Sequence, residues 1–269
     1  MKISYNNSYA ALNNSGAYLH DLYLNGTPIL MPSTDNIDTH GGSAVLFPFG
    51  NRIRDGEYEY KNQLYKLPKN DGNNSIHGLI RDFNFEYEGD NKNEITFSGI
   101  FQHPGYPGRA QIKINYVISQ NKFITNFYVK SLDLQIPVEV GFHPYFLVSG
   151  RYTLNYNGKL KMMNYMDTYF PDGTYTDFDL NDHDLSSYSL DNAFKLHGDI
   201  KLIYDDHEIR IHRKNMDYIV LYNGRYASGK SIAIEPMTGS PDVYHNKIGL
   251  INLKKDEIFE CGYEIELLK

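Results

Sequence analysis

Ala110-Gln111-Ile112-Lys113-Ile114-Asn115-Tyr116-Val117-Ile118 sets Ala110, Ile112, Ile114, Tyr116 and Ile118 on every second position. Successive side chains of a strand point to opposite sides, so this spacing reads as a strand with one apolar face. The segment before it repeats the pattern through Ile95, Phe97, Gly99 and Phe101, and the one after it through Phe123, Thr125, Phe127 and Val129. Three such strands in succession, joined by short connections, predict an antiparallel sheet lying on a core. The end of the chain alternates as well, with Phe259, Cys261, Tyr263, Ile265 and Leu267 facing one way and Glu260, Glu264 and Glu266 the other.

Working outward, residues 16–30 read as two short strands around Asn25-Gly26, a dipeptide suited to a tight turn. Residues 31–44 read as a loop rich in Pro, Asp, Thr and Gly. Glu57–Tyr60 and Leu64–Leu67 flank Lys61-Asn62-Gln63 as a hairpin, and Ile200–Tyr204 meets Glu208–His212 across Asp205-Asp206. Asp217–Tyr222 and Ser231–Ile234 are short apolar runs of the kind buried on both faces. Residues 150–197 are polar and irregular, and read as strands joined by long excursions. No sustained helical period, linker or repeat interrupts this pattern. The expectation is all-β: one large antiparallel β-sandwich domain spanning residues 1–269, with few short helices.

The net charge of −7 argues against nucleic acid or an anionic membrane surface as partner. No run approaches the ~18 apolar residues of a membrane span. The start lacks the apolar core of a secretory signal, and Cys261 is the sole cysteine, so a cytoplasmic, reducing location is expected. The sequons at Asn6, Asn13, Asn25 and Asn73 then carry no sugar. With 24 Tyr and 14 Phe but no Trp, the chain holds many rings able to stack on the C–H faces of a sugar, although core packing explains most of them.

Polar groups concentrate beside strand signals in a few places. In Glu139-Val140-Gly141-Phe142-His143-Pro144-Tyr145-Phe146, a histidine sits where Gly141 and Pro144 are expected to interrupt a strand and aim its ring out of the sheet. In Ile232-Ala233-Ile234-Glu235, a carboxylate ends a buried apolar run, which is costly unless it is paired or has a purpose. Asn51 and Arg52 follow Phe49-Gly50, His77 precedes Gly78, and Asp191 stands in Leu190-Asp191-Asn192-Ala193-Phe194. His103 and Tyr106, in a loop stiffened by Pro104 and Pro107, read as turn-fillers. No histidine spacing suits zinc, no Gly-rich loop suits a phosphate, and no G-x-S-x-G occurs. What remains is a His–Glu acid–base pair needing no metal or cofactor.

In chain order, Leu46–Ile53, Ile76-His77-Gly78, His103–Pro107, Gly141–Phe146, Leu190–Phe194 and Glu235–Asp242 together resemble the aldose 1-epimerase (mutarotase) family, with its galactose-mutarotase-like β-supersandwich. The resemblance implies that Glu235 is the general base on the anomeric hydroxyl and His143 the general acid on the ring oxygen. It implies that Asn51, Arg52, His77 and Asp191 bind the substrate. Gly78–Phe85 lacks the Gly-Gly form of dedicated galactose mutarotases, and Phe85 stands where relatives often carry Trp. This places the resemblance in the broader group.

Interconverting α and β anomers requires a base at O1 and an acid at the ring oxygen. A carboxylate (~4.3) and an imidazolium (~6.5) are both in the needed state between those values. Near neutral pH the histidine needs its pKa raised, which a nearby carboxylate can do. Three alternatives stay open on the sequence: a hexose-6-phosphate 1-epimerase, with Arg54 and Arg81 as candidate rim cations; a glycosidase using Asp191 and Glu235; and a silent sugar-binding module.

Overall fold

The computed structural model describes residues 1–35, 37–89 and 92–268. Two large antiparallel sheets face each other across the core. The eleven-stranded sheet runs in the order Lys2–Tyr5, Ser8–Leu12, Leu19–Leu24, Ser43–Leu46, Gly141–Leu147, Ser231–Met237, Tyr218–Tyr222, Asp191–Lys195, Leu160–Tyr165, Pro171–Phe178, with Thr27–Pro28 paired to Leu19–Leu24. The eight-stranded sheet runs Thr153–Tyr156, Ile200–Ile203, Glu208–Lys214, Ile258–Leu268, Lys122–Ser131, Ala110–Ile118, Glu94–Phe101, Glu86–Glu88. Among the described residues, the one α-helix is a single turn, Val243–Asn246.

The alternating segments form the centre of the eight-stranded sheet. Ala110, Ile112, Ile114, Tyr116 and Ile118 are buried, while Gln111 and Lys113 are exposed. Burial of that face against the other sheet drives the sandwich: Phe47 packs on Phe127 at 5.7 Å and Phe142 on Tyr263 at 4.9 Å between ring centres. Cys261 is buried in this core, as its alternation implied.

Several boundaries shift. Lys61-Asn62 alone forms the hairpin turn, with φ of 52° and 61°, so the second strand begins at Gln63. Two successive left-handed residues match the twist of the strands they join. The run predicted to stop at Ile234 continues as Ser231–Met237, buried throughout. The strand bearing His143 is not interrupted at Gly141 and Pro144. Gly141–Leu147 is continuous and pairs on both sides, and the break lies before it, at Glu139-Val140, after Ile136–Val138. The proline is tolerated because the pairing with Ser231–Met237 skips positions 142–144.

Candidate active site

The sheet register builds the site. Gly141 pairs with Met237 and Tyr145 with Ala233, which sets His143 opposite Glu235. Opposed residues of neighbouring strands point to the same side. His143 also pairs with Ala44, Glu235 with Val220, and Val220 with Ala193, so one row across the sheet reads Ala44, His143, Glu235, Val220, Ala193. The next row on that side holds Tyr145, Ala233, Tyr222 and Asp191. Small side chains flank the two ionisable ones and leave room above them. Loops then roof this side, which is why these strands are buried on both faces although only one meets the core.

The result is a cavity of about 480 Å³, in the range of small-molecule sites. His143, Glu235, Asn51, Arg52, His77 and Asp191 all line it. His143 Nε2 lies 3.4 Å from Glu235 Oε1, with both side chains almost fully buried. The His143 ring stacks on Tyr145 (4.7 Å, 14°) and meets His77 edge-on (5.2 Å, 87°). His77 adopts φ +63°, a left-handed conformation that is strained for a non-glycine residue and holds its ring against His143. Arg52 Nε donates to Asp71 Oδ2 at 2.6 Å, and its guanidinium lies under the Tyr169 ring at 4.0 Å. Asn51 Oδ1 accepts the Arg52 backbone N–H at 2.8 Å, so the carboxamide braces the loop and keeps its NH₂ for other partners.

Burial, not attraction, governs the proton affinities. Desolvation pushes Glu235 well above the usual carboxylate range, with Asp191 adding to the rise and Arg52 opposing it. Desolvation also lowers His143 to about 3. The expected raising of His143 by its carboxylate partner is therefore reversed, because separating charge at full burial costs more than the 3.4 Å contact returns. Both shifts favour neutral carboxyl and neutral imidazole over the separated charges. His77 is likewise lowered, by burial first and by His143 second, which leaves it a neutral hydrogen-bonding group. Asp191 is raised by burial. Glu235 Oε2 and His143 Nδ1 have no hydrogen-bond partner among the described residues, which leaves Glu235 with an unengaged oxygen.

Other candidates are not part of this cavity. Arg54 is held by buried Asp242, through Nη2 at 2.9 Å and its backbone N–H at 3.0 Å, so it is not a rim cation. Arg81 does line the cavity. His103 Nδ1 accepts the Gly105 N–H and so serves its turn, whereas Tyr106 is not the turn-filler expected: it is buried in the main core against Phe47 and Phe101 and donates to Pro137 O. The sequence reading missed Tyr222, Tyr226 and His40, whose ring stacks on Tyr226 at 3.5 Å. Period two alone points from His143 to Tyr145; the others come from loops and distant strands. Among the described residues, no three His, Cys, Asp or Glu side chains gather as metal ligands would.

The aldose 1-epimerase family model matches residues 2–266. The chain belongs to the aldose 1-epimerase family. It is 22% identical to the uncharacterised Escherichia coli K12 protein YihR, over 96% of this chain and 89% of that one. It is 30% identical to pig galactose mutarotase over 112 residues, 40% of this chain and 32% of the relative. A galactose mutarotase-like protein from Clostridium acetobutylicum shares the fold, with a TM-score of 0.86 at 19% identity over 99% of this chain and 94% of that one. Membership in this family agrees with a sugar-directed site, and among the described residues no helix is long and apolar enough to cross a membrane.

Proposed function

We propose that the protein is an aldose 1-epimerase that interconverts the α and β anomers of a free aldose, with Glu235 and His143 moving the protons. The observation that carries this reading is the buried His143–Glu235 pair, opposed across two strands on the floor of the cavity.

The pair carries one proton through the whole cycle. In its charged form Glu235 takes the proton from O1 while His143 gives one to the ring oxygen, and the C1–O5 bond opens to the aldehyde. That transfer leaves neutral carboxyl and neutral imidazole. Rotation about C1–C2 presents the other face of the carbonyl, O5 closes on it, and both protons return. Burial favours the neutral form, which accompanies the open chain, while Arg52 lowers Glu235 and so favours the charged form that attacks the ring. Opposed biases keep the two forms closer in energy than either bias alone would, which suits a reaction run in both directions. Arg52, Asn51, His77 and Asp191 orient the hydroxyls, and the Tyr145, Tyr222 and Tyr226 rings border the cavity.

Two arginines, Arg52 and Arg81, share the cavity lining with three carboxyl groups, Asp71, Asp191 and Glu235. With Arg52 bonded to Asp71, that lining favours a neutral sugar over a dianionic sugar phosphate. Saturation-transfer exchange NMR on free and 6-phosphorylated aldoses tests the proposal. A free aldose should exchange anomers well above the water rate. A higher kcat/KM for glucose 6-phosphate, falling steeply with salt, would reverse the substrate choice. Binding without exchange above the water rate would leave a silent module.

A further inference from the structure

His40 lines the cavity, yet the reaction above does not use it. Its Nδ1 lies 2.7 Å from Asp35 Oδ2, and its ring stacks on Tyr226 with centres 3.5 Å apart and planes 14° from parallel. Asp35 is held below the usual carboxylate range, first by this hydrogen bond with His40. A carboxylate can only accept, so Nδ1 donates. One ring nitrogen is thereby committed, and Nε2 is the one left for a ligand. The His40 side chain is 17% exposed against 42% for Tyr226, so the tyrosine forms the outer layer and the histidine the inner one.

Two segments meet in this stack, and the cavity floor positions both. Tyr145, which stacks on His143, donates its hydroxyl to Thr39 O at 2.9 Å, one residue before His40. Tyr222 OH accepts the Tyr226 backbone N–H at 3.1 Å, and the Tyr145 and Tyr222 rings meet edge-on at 6.4 Å. His40 is therefore tied to the second row of the floor, the one that runs from Tyr145 to Asp191. Its charge also registers at His143 and His77, behind the larger effect of burial, so it stands within electrostatic reach of the acid. Other His–Asp contacts, such as His197–Asp217 and His212–Asp199, are exposed and lie outside the cavity. There the pairing serves the surface; at His40 it fixes a ring that borders the site.

Resting on the epimerase reading, we propose that His40 is a further sugar-binding residue: with Asp35 and Tyr226 fixing its ring, Nε2 hydrogen-bonds an aldose hydroxyl away from C1. With C1 and O5 engaged at His143 and Glu235, the rest of the pyranose lies over the Tyr145–Asp191 row, beneath this ring. The pattern of hydroxyls along that part of the ring is what distinguishes one aldose from another. A ring held by two contacts loses little freedom on binding, so more of the bond's strength appears as affinity. The contact is remote from the reacting bonds and is made equally in substrate and transition state. Its loss therefore shows in KM rather than in kcat. Asp35 and Tyr226 act through His40 as positioning residues.

Two measurements test this. In native protein labelled with ¹⁵N-histidine, saturating D-glucose or D-galactose should move the His40 Nε2 resonance and leave Nδ1, bonded to Asp35, nearly in place. Saturation-transfer exchange then gives KM and kcat for each sugar and its monodeoxy forms. His40→Ala should raise KM roughly tenfold on the parent sugar, with kcat little changed. His40→Gln, whose NH₂ can stand in for Nε2–H, should recover part of that loss. For one monodeoxy form the native KM should already be raised, and His40→Ala should raise it no further, because both changes remove the same bond. An Nε2 resonance indifferent to both sugars overturns the proposal. So does a His40→Ala penalty equal for every monodeoxy form, the mark of a ring that only pins its loop. If sugar moves Nε2 but no aldose exchanges above the water rate, the epimerase reading fails and His40 stands as a binding residue.

Discussion

The strands Gly141–Leu147 and Ser231–Met237 are buried on both sides, yet the two sides have opposite chemistry. Toward the eight-stranded sheet they present Phe142, Phe146, Ile232 and Ile234 to the main core. Toward the cavity they present His143, Tyr145 and Glu235. On the first side, removal from water is favourable, at roughly 1.5–3 kcal/mol for a large apolar side chain. On the second it is unfavourable for any charge, and the cost appears as a Glu235 that keeps its proton and a His143 that refuses one. The same backbone thus builds stability on one side and a reactive proton pair on the other. Burial is common to both, and the side-chain chemistry decides its sign.

The sharpest way to break this comparison is to alter the cavity side alone. Glu235→Gln and His143→Asn should each lower kcat by roughly 10²–10⁴-fold, the worth of one positioned acid or base. The double variant should lose far less than the product, because the pair serves one step. Thermal unfolding should remain cooperative near the native midpoint, since the core side is untouched. Near-native exchange in both single variants would sink the assignment. Altering the core side should do the reverse. Phe142→Ala removes a fully buried ring and should cost about 3–5 kcal/mol in urea unfolding, with kcat per folded molecule close to native. A large kcat loss at native stability would mean that the two sides are not separable.

The smallest effect is in pH, where the two readings of the pair diverge. An unperturbed carboxylate and imidazole would give a bell in kcat/KM centred near ~5.4. Burial instead widens the window, with the acid limb moved toward the lowered His143 and the alkaline limb toward the raised Glu235. The rate on a good aldose should therefore hold level over a wider span of pH than an unperturbed pair allows. Stability follows the same shifts with opposite signs. His143 binds its proton less well folded than unfolded, so its contribution is present above 6.5 and is lost as pH falls toward about 3. Glu139 binds its proton better folded, so its contribution is present below 4.5 and is lost as pH rises through about 8. Glu139→Gln should accordingly gain unfolding midpoint over the native chain at pH 9 and match it near pH 4.

Much of this was legible beforehand because period two is a local signal. The alternation through Ile95–Val129 and Phe259–Leu267 placed strands and their core faces, and Glu235 stood out as a charge ending an apolar run. His143, Arg52, His77 and Asp191 were each readable as single candidates, and the family resemblance grouped them. Their common cavity was not readable from spacing, since 92 positions of chain separate His143 from Glu235 and their meeting depends on a register. The expected break at Gly141 and Pro144 went the other way for the same reason. A proline's missing N–H matters only if a neighbour needs it, and here the ladder already skips those positions.

By itself, then, the sequence determined the strand pattern, the all-β class, the side of each strand that meets the core, and a short set of polar residues with no apolar explanation. Local stereochemistry and the period of the backbone suffice for these. Only the tertiary structure decided that His143 and Glu235 oppose each other, that Arg54 serves Asp242 while Arg52 serves the cavity, and that Glu139 stands behind the site. It also decided the direction of every proton affinity, because desolvation depends on which distant segments close over a group, and no neighbour in sequence carries that information.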